Sequence, residues 1–309
     1  MIGLSGLSTK RRRIPITWTQ RTSSFSTDVI YSIERGSDGY WLASGDNQKI
    51  ATASDPTSTW TQRTSDFSGG YCHQAFYDGS YWVNCGYQGQ FATASDPTST
   101  WTLGSDPGFG ADNILTTYFD GTYWVMAGGS GKLYTASDPT STWTSRTSNI
   151  SNSINKVHYA NSLWVAVASS GEMSTASDPT GTWTARTSGF SSDNIYSVFY
   201  DGTYWVAVGV NGKLGYSTDP TSGFTLVTGG SNPFDNAKYI IAIGYGNGAW
   251  VAAGQDGQLA TTTNPTSTWT LRTSSFGSSD TIRDLYYGSD GYWVAVGTSG
   301  KLATAVPGV

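Results

Sequence analysis

Apolar and polar positions in this chain change over in short stretches, each closed by a turn signal, and the clearest unit runs from Ile195 to Val227. Ile195 to Tyr200 alternates loosely and ends at Asp201-Gly202. Tyr204 to Gly209 (Tyr-Trp-Val-Ala-Val-Gly) is dense in strand formers and is turned by Asn211-Gly212. Lys213 to Thr218 follows, then the turn Asp219-Pro220-Thr221-Ser222, then Phe224 to Val227. The pattern predicts four strands of about four to six residues in each unit.

The unit repeats. Tyr-Trp-Val or its equivalent centres on Trp41, Trp82, Trp124, Trp164, Trp205, Trp250 and Trp293. A second series, Asp-Pro-Thr-x-x-Trp and its variants, starts at Asp55, Asp96, Asp138, Asp178, Asp219 and Asn264. Its closing aromatics are Trp60, Trp101, Trp143, Trp183, Phe224 and Trp269, and Trp18 fits the series without an Asp. A period of about 41 residues with four strands per repeat predicts an all-β, seven-bladed propeller of four-stranded antiparallel blades. The ends are out of phase with the blades. The first repeat begins near Ile14, directly in a fourth strand (Ile16 to Thr19). The last stops after a third strand (Lys301 to Ala305), where Val306-Pro307 replaces the turn. Ile16 to Thr19 is therefore expected to pair with Leu302 to Ala305 and close the ring as a split blade, covering two open edges. Residues 1–13 form a basic N-terminal arm and residues 14–309 the propeller.

An Asp opening a Pro-containing turn accepts backbone N–H bonds two or three residues on, and Pro presets φ. The repeated Asp is thus expected to be a hairpin clamp, and the Trp after it a cover that packs between sheets. These turns resemble the Asp-box of sialidase-type (BNR-repeat) propellers, Ser-x-Asp-x-Gly-x-Thr-Trp. Ala53 to Trp60 keeps the Asp and the Thr-Trp, with Ala for the leading Ser and Thr for the Gly. Ala94, Ala136 and Ala176 repeat the first departure; Ser217 to Phe224 restores the Ser and loses the Thr-Trp. The full repeat, Tyr-Trp-Val-Ala-Val-Gly-x-x-Gly-Lys-Leu, then the Asp turn and Trp-Thr-x-Arg-Thr-Ser, resembles propellers found among bacteriophage structural and tail-associated proteins. The resemblance covers about residues 14–305 and speaks to fold far more than to function.

Composition adds bounds. Charged residues are 13% of the 309, aromatics 14%, and there are 38 Gly, a mix that suits short strands and tight turns. A net charge of −5 gives no footing for nucleic acid, which wants a basic surface. Lys10-Arg11-Arg12-Arg13 is the one basic cluster, read either as a solvated tail or as a docking arm. No signal peptide is expected in residues 1–9, and no apolar run approaches a membrane span. With Asp78 to Tyr81 as a turn, Cys85 falls opposite Gln74 and Cys72 is a diagonal neighbour, so no disulfide is expected between them.

Catalytic patterns are sparse. The sialidases that the repeat resembles use an arginine triad, a Tyr nucleophile with a Glu partner and an Asp acid. Here Arg21, Arg63, Arg146, Arg186 and Arg272 recur at one place in the outermost strand, and residues repeated around a rim cannot converge on one substrate. Only Arg35 and Arg283 sit on first strands near the axis. Arg35 beside Glu34 is a candidate polar pair, with a solvated role favoured. His73 and His158 lack ligand-spaced partners, and His158 stands where Phe199 stands in the blade of Trp205, which favours packing. No catalytic residue, metal or cofactor is assigned.

Binding is expected on the face that carries the crossings between blades, opposite the uniform Asp turns. Leu103 to Asn113 and Gly229 to Lys238 are the most divergent crossings. They supply the candidate residues Asp106, Phe109, Asp112, Asn232, Phe234 and Asp235; each Phe either stacks on a sugar or partner or tucks under its own loop. The resemblance makes the first expectation a non-enzymatic phage virion protein, displayed on head or tail, tied to other virion proteins by the N-terminal arm and touching the host surface. A carbohydrate-binding lectin is the alternative, and a sialidase-like glycosidase the third reading. Neither nucleic-acid binding nor membrane insertion is expected, and a virion is the expected location.

Overall fold

The structure is a computed structural model; it describes Ile14, residues 17–234 and residues 237–306. The arm of residues 1–13, Ile16 and Asp235 lie outside the described residues. The strands form seven four-stranded antiparallel sheets, each a simple meander. Blades 1 to 6 are continuous in sequence, and in each the first strand is innermost, packed against the first strands of both neighbours. In blade 5 the strands are Ile195–Tyr200, Trp205–Gly209, Leu214–Ser217 and Thr225–Leu226, close to the expected bounds. Second strands such as Trp205–Gly209 are buried at every residue because a neighbouring sheet covers each face. That is why they read as continuous apolar runs and not as an alternation.

Blade 7 joins Ile282–Tyr287, Trp293–Gly297 and Leu302–Ala305 to the N-terminal strand Thr19–Arg21. The split closure is present, but its register differs from the expected one. The strand starts at Thr19, paired with Thr304, and continues through Gln20 with Ala303 and Arg21 with Leu302. Trp18 stands just before the strand, as Trp60 stands before Thr61–Thr64. The reason is the position of the indole: Trp18 is buried in the core between blades 6 and 7, a place that a ladder residue of the outer strand does not reach.

The Asp turns are clamps. Asp55 Oδ1 accepts from the Thr57 N–H at 2.8 Å and the Thr57 hydroxyl at 2.7 Å, and the Trp60 indole donates to the Pro56 carbonyl at 3.2 Å. Asp96, Asp138, Asp178 and Asp219 make the same pair of bonds to their Thr, and Asn264 imitates them. Those bonds hold the five Asp carboxyls below the usual carboxylate range. The repeated arginines are rungs: Arg21, Arg63, Arg146, Arg186 and Arg272 each donate from Nε to a Thr hydroxyl of the adjacent third strand.

A second Asp series joins the blades and was legible only as turn punctuation. In the turn between first and second strands, Asp120 Oδ1 accepts from the Thr122 and Tyr123 N–H groups at 2.8 and 2.7 Å. Its Oδ2 accepts the indole N–H of Trp164 in the next blade at 3.1 Å. Asp38, Asp78, Asp201 and Asp290 hold Trp82, Trp124, Trp250 and Trp41 in the same way. Where the turn is Gly246-Asn247-Gly248 the clasp is missing, and the Trp293 indole N–H is buried without a partner. Asp120→Ala removes three bonds and strands a buried indole, so chemical denaturation should show a loss of about 1–3 kcal/mol. A variant as stable as the parent would deny the clasp any role.

Candidate functional site at the propeller axis

Every first strand carries a bulge after its first residue. In blade 5 Ile195 pairs with Gly209 and Ser197 with Val208, leaving Tyr196 unopposed. The other six blades show the same shift. A bulge re-aims the extra side chain, and here all seven extra residues line one cavity of about 330 Å³ at the axis: Tyr31, His73, Leu115, Asn155, Tyr196, Ile241 and Arg283. The glycine ending six of the seven second strands makes room for this. A Cβ on Gly209 would run into the carbonyl oxygen of Asn194, and the same holds at Gly45, Gly86, Gly128, Gly254 and Gly297. Blade 4 has Ala168 at that place, with its backbone turned to φ −142° where Gly86 and Gly128 sit at 178° and 177°.

Because the meander enters each blade from a crossing, the bulges ring the mouth on the crossing face. Tyr71, Tyr87 and Tyr239 extend the aromatic rim: Tyr31 lies 5.3 Å from Tyr71 between ring centres, Tyr71 5.7 Å from Tyr87, and Tyr196 5.9 Å from Tyr239. Arg283 lies over the Tyr31 ring at 5.8 Å. The seven rim residues differ in size, polarity and charge, so the mouth is asymmetric although the scaffold beneath it repeats.

A second axial chamber, of about 360 Å³, sits toward the turn face, and the two share Gln74, Lys156, Ser197 and Asp284. Phe76, Tyr118, His158 and Phe199 form an arc there, with ring centres 4.5, 4.9 and 4.8 Å apart. Glu34 completes this layer with Tyr286, whose hydroxyl donates to it. The expectation of a solvated Glu34 and Arg35 is corrected. Closing the ring shuts Glu34 away from water, and burial pushes its carboxyl up to about 8. Arg35 pairs with Asp290 at 3.3 Å and lies 5.7 Å over the Trp41 ring. Burial also raises the Asp284 carboxyl and pushes His73 down to about 4 and His158 to about 3. His158 packs in the aromatic layer, as its alignment with Phe199 suggested. Lys156 and Asp284, two of the charges that define the channel, gave no signal in sequence, because each is a lone substitution at a strand position filled elsewhere by Ser, Thr, Gln or Ala.

The divergent crossings frame two outer grooves of about 680 and 660 Å³. Those of their singled-out side chains that lie among the described residues are spent internally. Phe109 and Phe234 are buried, so of the two roles open to each ring the structure shows the tuck under its own loop and not the stacking surface, in the core clusters of blades 2–3 and 5–6. Asp106 accepts from the N–H groups of Gly108, Phe109 and Gly110, and Asp112 pairs with Lys132 at 3.0 Å. Asn232 accepts from the Phe234 N–H and donates to the Gly212 carbonyl. Cys85 stands opposite Gln74, the expected register, and both thiols are free and buried. Among the described residues no three His, Cys, Asp or Glu side chains are grouped closely enough to hold a metal ion.

No family model and no curated protein matches the chain. Its fold does have solved counterparts. YCF48 bound to D1 peptide superposes with a TM-score of 0.76 at 18% identity, over 97% of this chain and 99% of that one. YCF48 from Cyanidioschyzon merolae gives 0.76 at 15% identity, over 94% and 98%. The WD40 β-propeller domain of Doa1 gives 0.73 at 8% identity, over 96% and 98%. The likeness is one of fold. At these identities it carries the seven-bladed propeller and not the narrower Asp-box or phage resemblance.

Proposed function

We propose that the chain is a non-enzymatic binding propeller that presents the crossing-face mouth to a protein partner. The repeat's resemblance to phage structural propellers makes a virion component our reading of its setting, with residues 1–13 as the link to other virion proteins. The observation that carries the binding surface is the bulge ring. It gathers seven unlike side chains at one opening, while the Asp turns on the opposite face spend their polar groups on themselves. Tyr and Arg on a rigid rim are the residue types that dominate protein–protein binding energy. A propeller of the same fold holds a peptide, as YCF48 does with its D1 peptide, which favours a protein partner over a glycan. The internally engaged axial carboxyls favour a scaffold over a glycosidase. Glu34 is engaged by Tyr286, and Asp284 accepts from the N–H groups of Ile33 and Leu285 at 3.0 and 2.9 Å.

The test is a Tyr196→Ser, Tyr239→Ser double variant compared with Thr98→Ser on the turn face, each assayed for incorporation into the native assembly and on a glycan array. Loss of incorporation in the double variant alone supports the reading. Incorporation equal to the parent, or glycan binding that depends on these tyrosines, overturns it.

A further inference from the structure

We propose that the crossing-face mouth is a carboxylate site, in which Arg283 and Lys156 together receive an acidic side chain or the C-terminal carboxylate of an extended peptide. The inference rests on the reading of this mouth as the partner surface and names the group that the partner inserts.

Two cations project into one cavity without being neutralised. Arg283 makes no hydrogen bond or ion pair among the described residues, and its Nε is buried and unpartnered. Other basic side chains in the structure do find acids: Lys49, Lys132, Lys213 and Lys301 pair with Asp28, Asp112, Asp193 and Asp280. Lys156, on the strand Ile154–Ala160, likewise makes no hydrogen bond or close ion pair among the described residues, although it lines both axial chambers. A buried, unsatisfied donor in a native fold calls for an explanation, and an absent anion is one. The counter-charges at hand are Asp284, which spends both oxygens on backbone N–H groups, and in the second chamber Glu34, which Tyr286 engages. Asp284 is half-buried with no cation in contact, and its partial desolvation raises its carboxyl toward the neutral form.

Geometry selects a carboxylate. The guanidinium is a planar fork that matches a carboxylate with two parallel bonds. It lies over the Tyr31 ring at the rim, 5.8 Å from the ring centre, and Lys156 lines both axial chambers, deeper along the axis, as a point charge. A cavity of about 330 Å³ takes a Glu side chain or a chain end, and the rim of Tyr31, Tyr196 and Tyr239 gives an adjoining peptide flat, rigid surface.

The experiment is NMR titration of the full chain, following the Arg283 Nε–H signal, with three peptides. Acetyl-Gly-Gly-Glu-amide offers a side-chain carboxylate, acetyl-Gly-Gly-Gln with a free end offers a terminal one, and acetyl-Gly-Gly-Gln-amide offers none. A saturable shift is expected from at least one carboxylate peptide and none from the third, and the stronger responder names the source. Arg283→Gln should abolish binding, Lys156→Met should weaken it at least tenfold, and Arg283→Lys should retain part of it. The inference is overturned if neither carboxylate peptide gives a saturable shift in the parent, if the amide peptide matches them, or if Arg283→Gln binds as the parent does. The parent titration decides even where a variant fails to fold. If the peptides fail while the Tyr196, Tyr239 variant still loses its partner, the carboxylate falls and the partner surface stands.

Discussion

Trp18→Ala should lower the stability of the whole propeller by about 3–5 kcal/mol, the range for truncating a buried Trp. Trp18 is 6% exposed and packs with Val251, Leu259, Ile282 and Trp293, residues of the last two blades. It sits at the one blade with no covalent hairpin between third and fourth strands. The closure holds by three ladder pairs, by Arg21 Nε on Thr304 Oγ1 at 2.9 Å, by Gln20 on the Leu302 carbonyl at 3.0 Å and by Ser23 on the Gly300 carbonyl. Every one of these depends on residues that the indole anchors. The matched truncation in a hairpin-closed blade, Trp101→Ala, should expose less of its neighbouring strand, because its own turn still tethers it. Denaturant titration of both variants reads this directly, and a Trp18→Ala protein as stable as the parent would reject the closure.

A comparably large effect is expected in acid. His158 is buried in its aromatic layer and His73 is half-buried in the mouth, with folded values of about 3 and about 4 against about 6.5 when unfolded. Because the folded values lie below the unfolded one, unfolding takes up protons. The stability of a neutral His is fully present above about pH 6.5 and is lost as pH falls toward 4 and then 3. For His158 the loss is on the order of several kcal/mol across that window. His158→Phe places at this position the residue that blades 2 and 5 already carry, Phe76 and Phe199, so packing is kept while the proton site goes. Its stability should fall less steeply between pH 6.5 and 4 than the parent's. Glu34 acts with the opposite sign: its folded value of about 8 lies above the ordinary one, so its contribution is present in acid and lost as pH rises toward 8. An unchanged acid limb in His158→Phe would show that this ring is hydrated when folded.

The architecture was legible because its determinants repeat. The Trp series, the Asp turns and the out-of-phase ends each report one blade at a time, and seven weak signals agree. The closing strand starts three residues later than expected and its register is shifted by two, because Trp18 looks like a strand residue in sequence and is an anchor in space. The site was harder to read for a related reason. A bulge leaves no residue type behind, only the loose alternation of Ile195 to Tyr200 and the glycine that ends six of the seven second strands. The residues it gathers share no type, so a search for repeats passes over them. Glu34 looked solvated because it stands beside Arg35 in sequence; its neighbours in space are Tyr118 and Tyr286, from blades 3 and 7. The polar loops around Phe109 and Phe234 left two roles open in sequence, and those loops fold over the rings.

The binding account turns on which face the partner meets, and a density map of the propeller in its native assembly measures that most directly. The account predicts partner density over the crossing-face mouth, in contact with Tyr31, Tyr196 and Tyr239, with an acidic group reaching Arg283. A partner seated on the rim of Asp turns, with that mouth open to solvent, would contradict it.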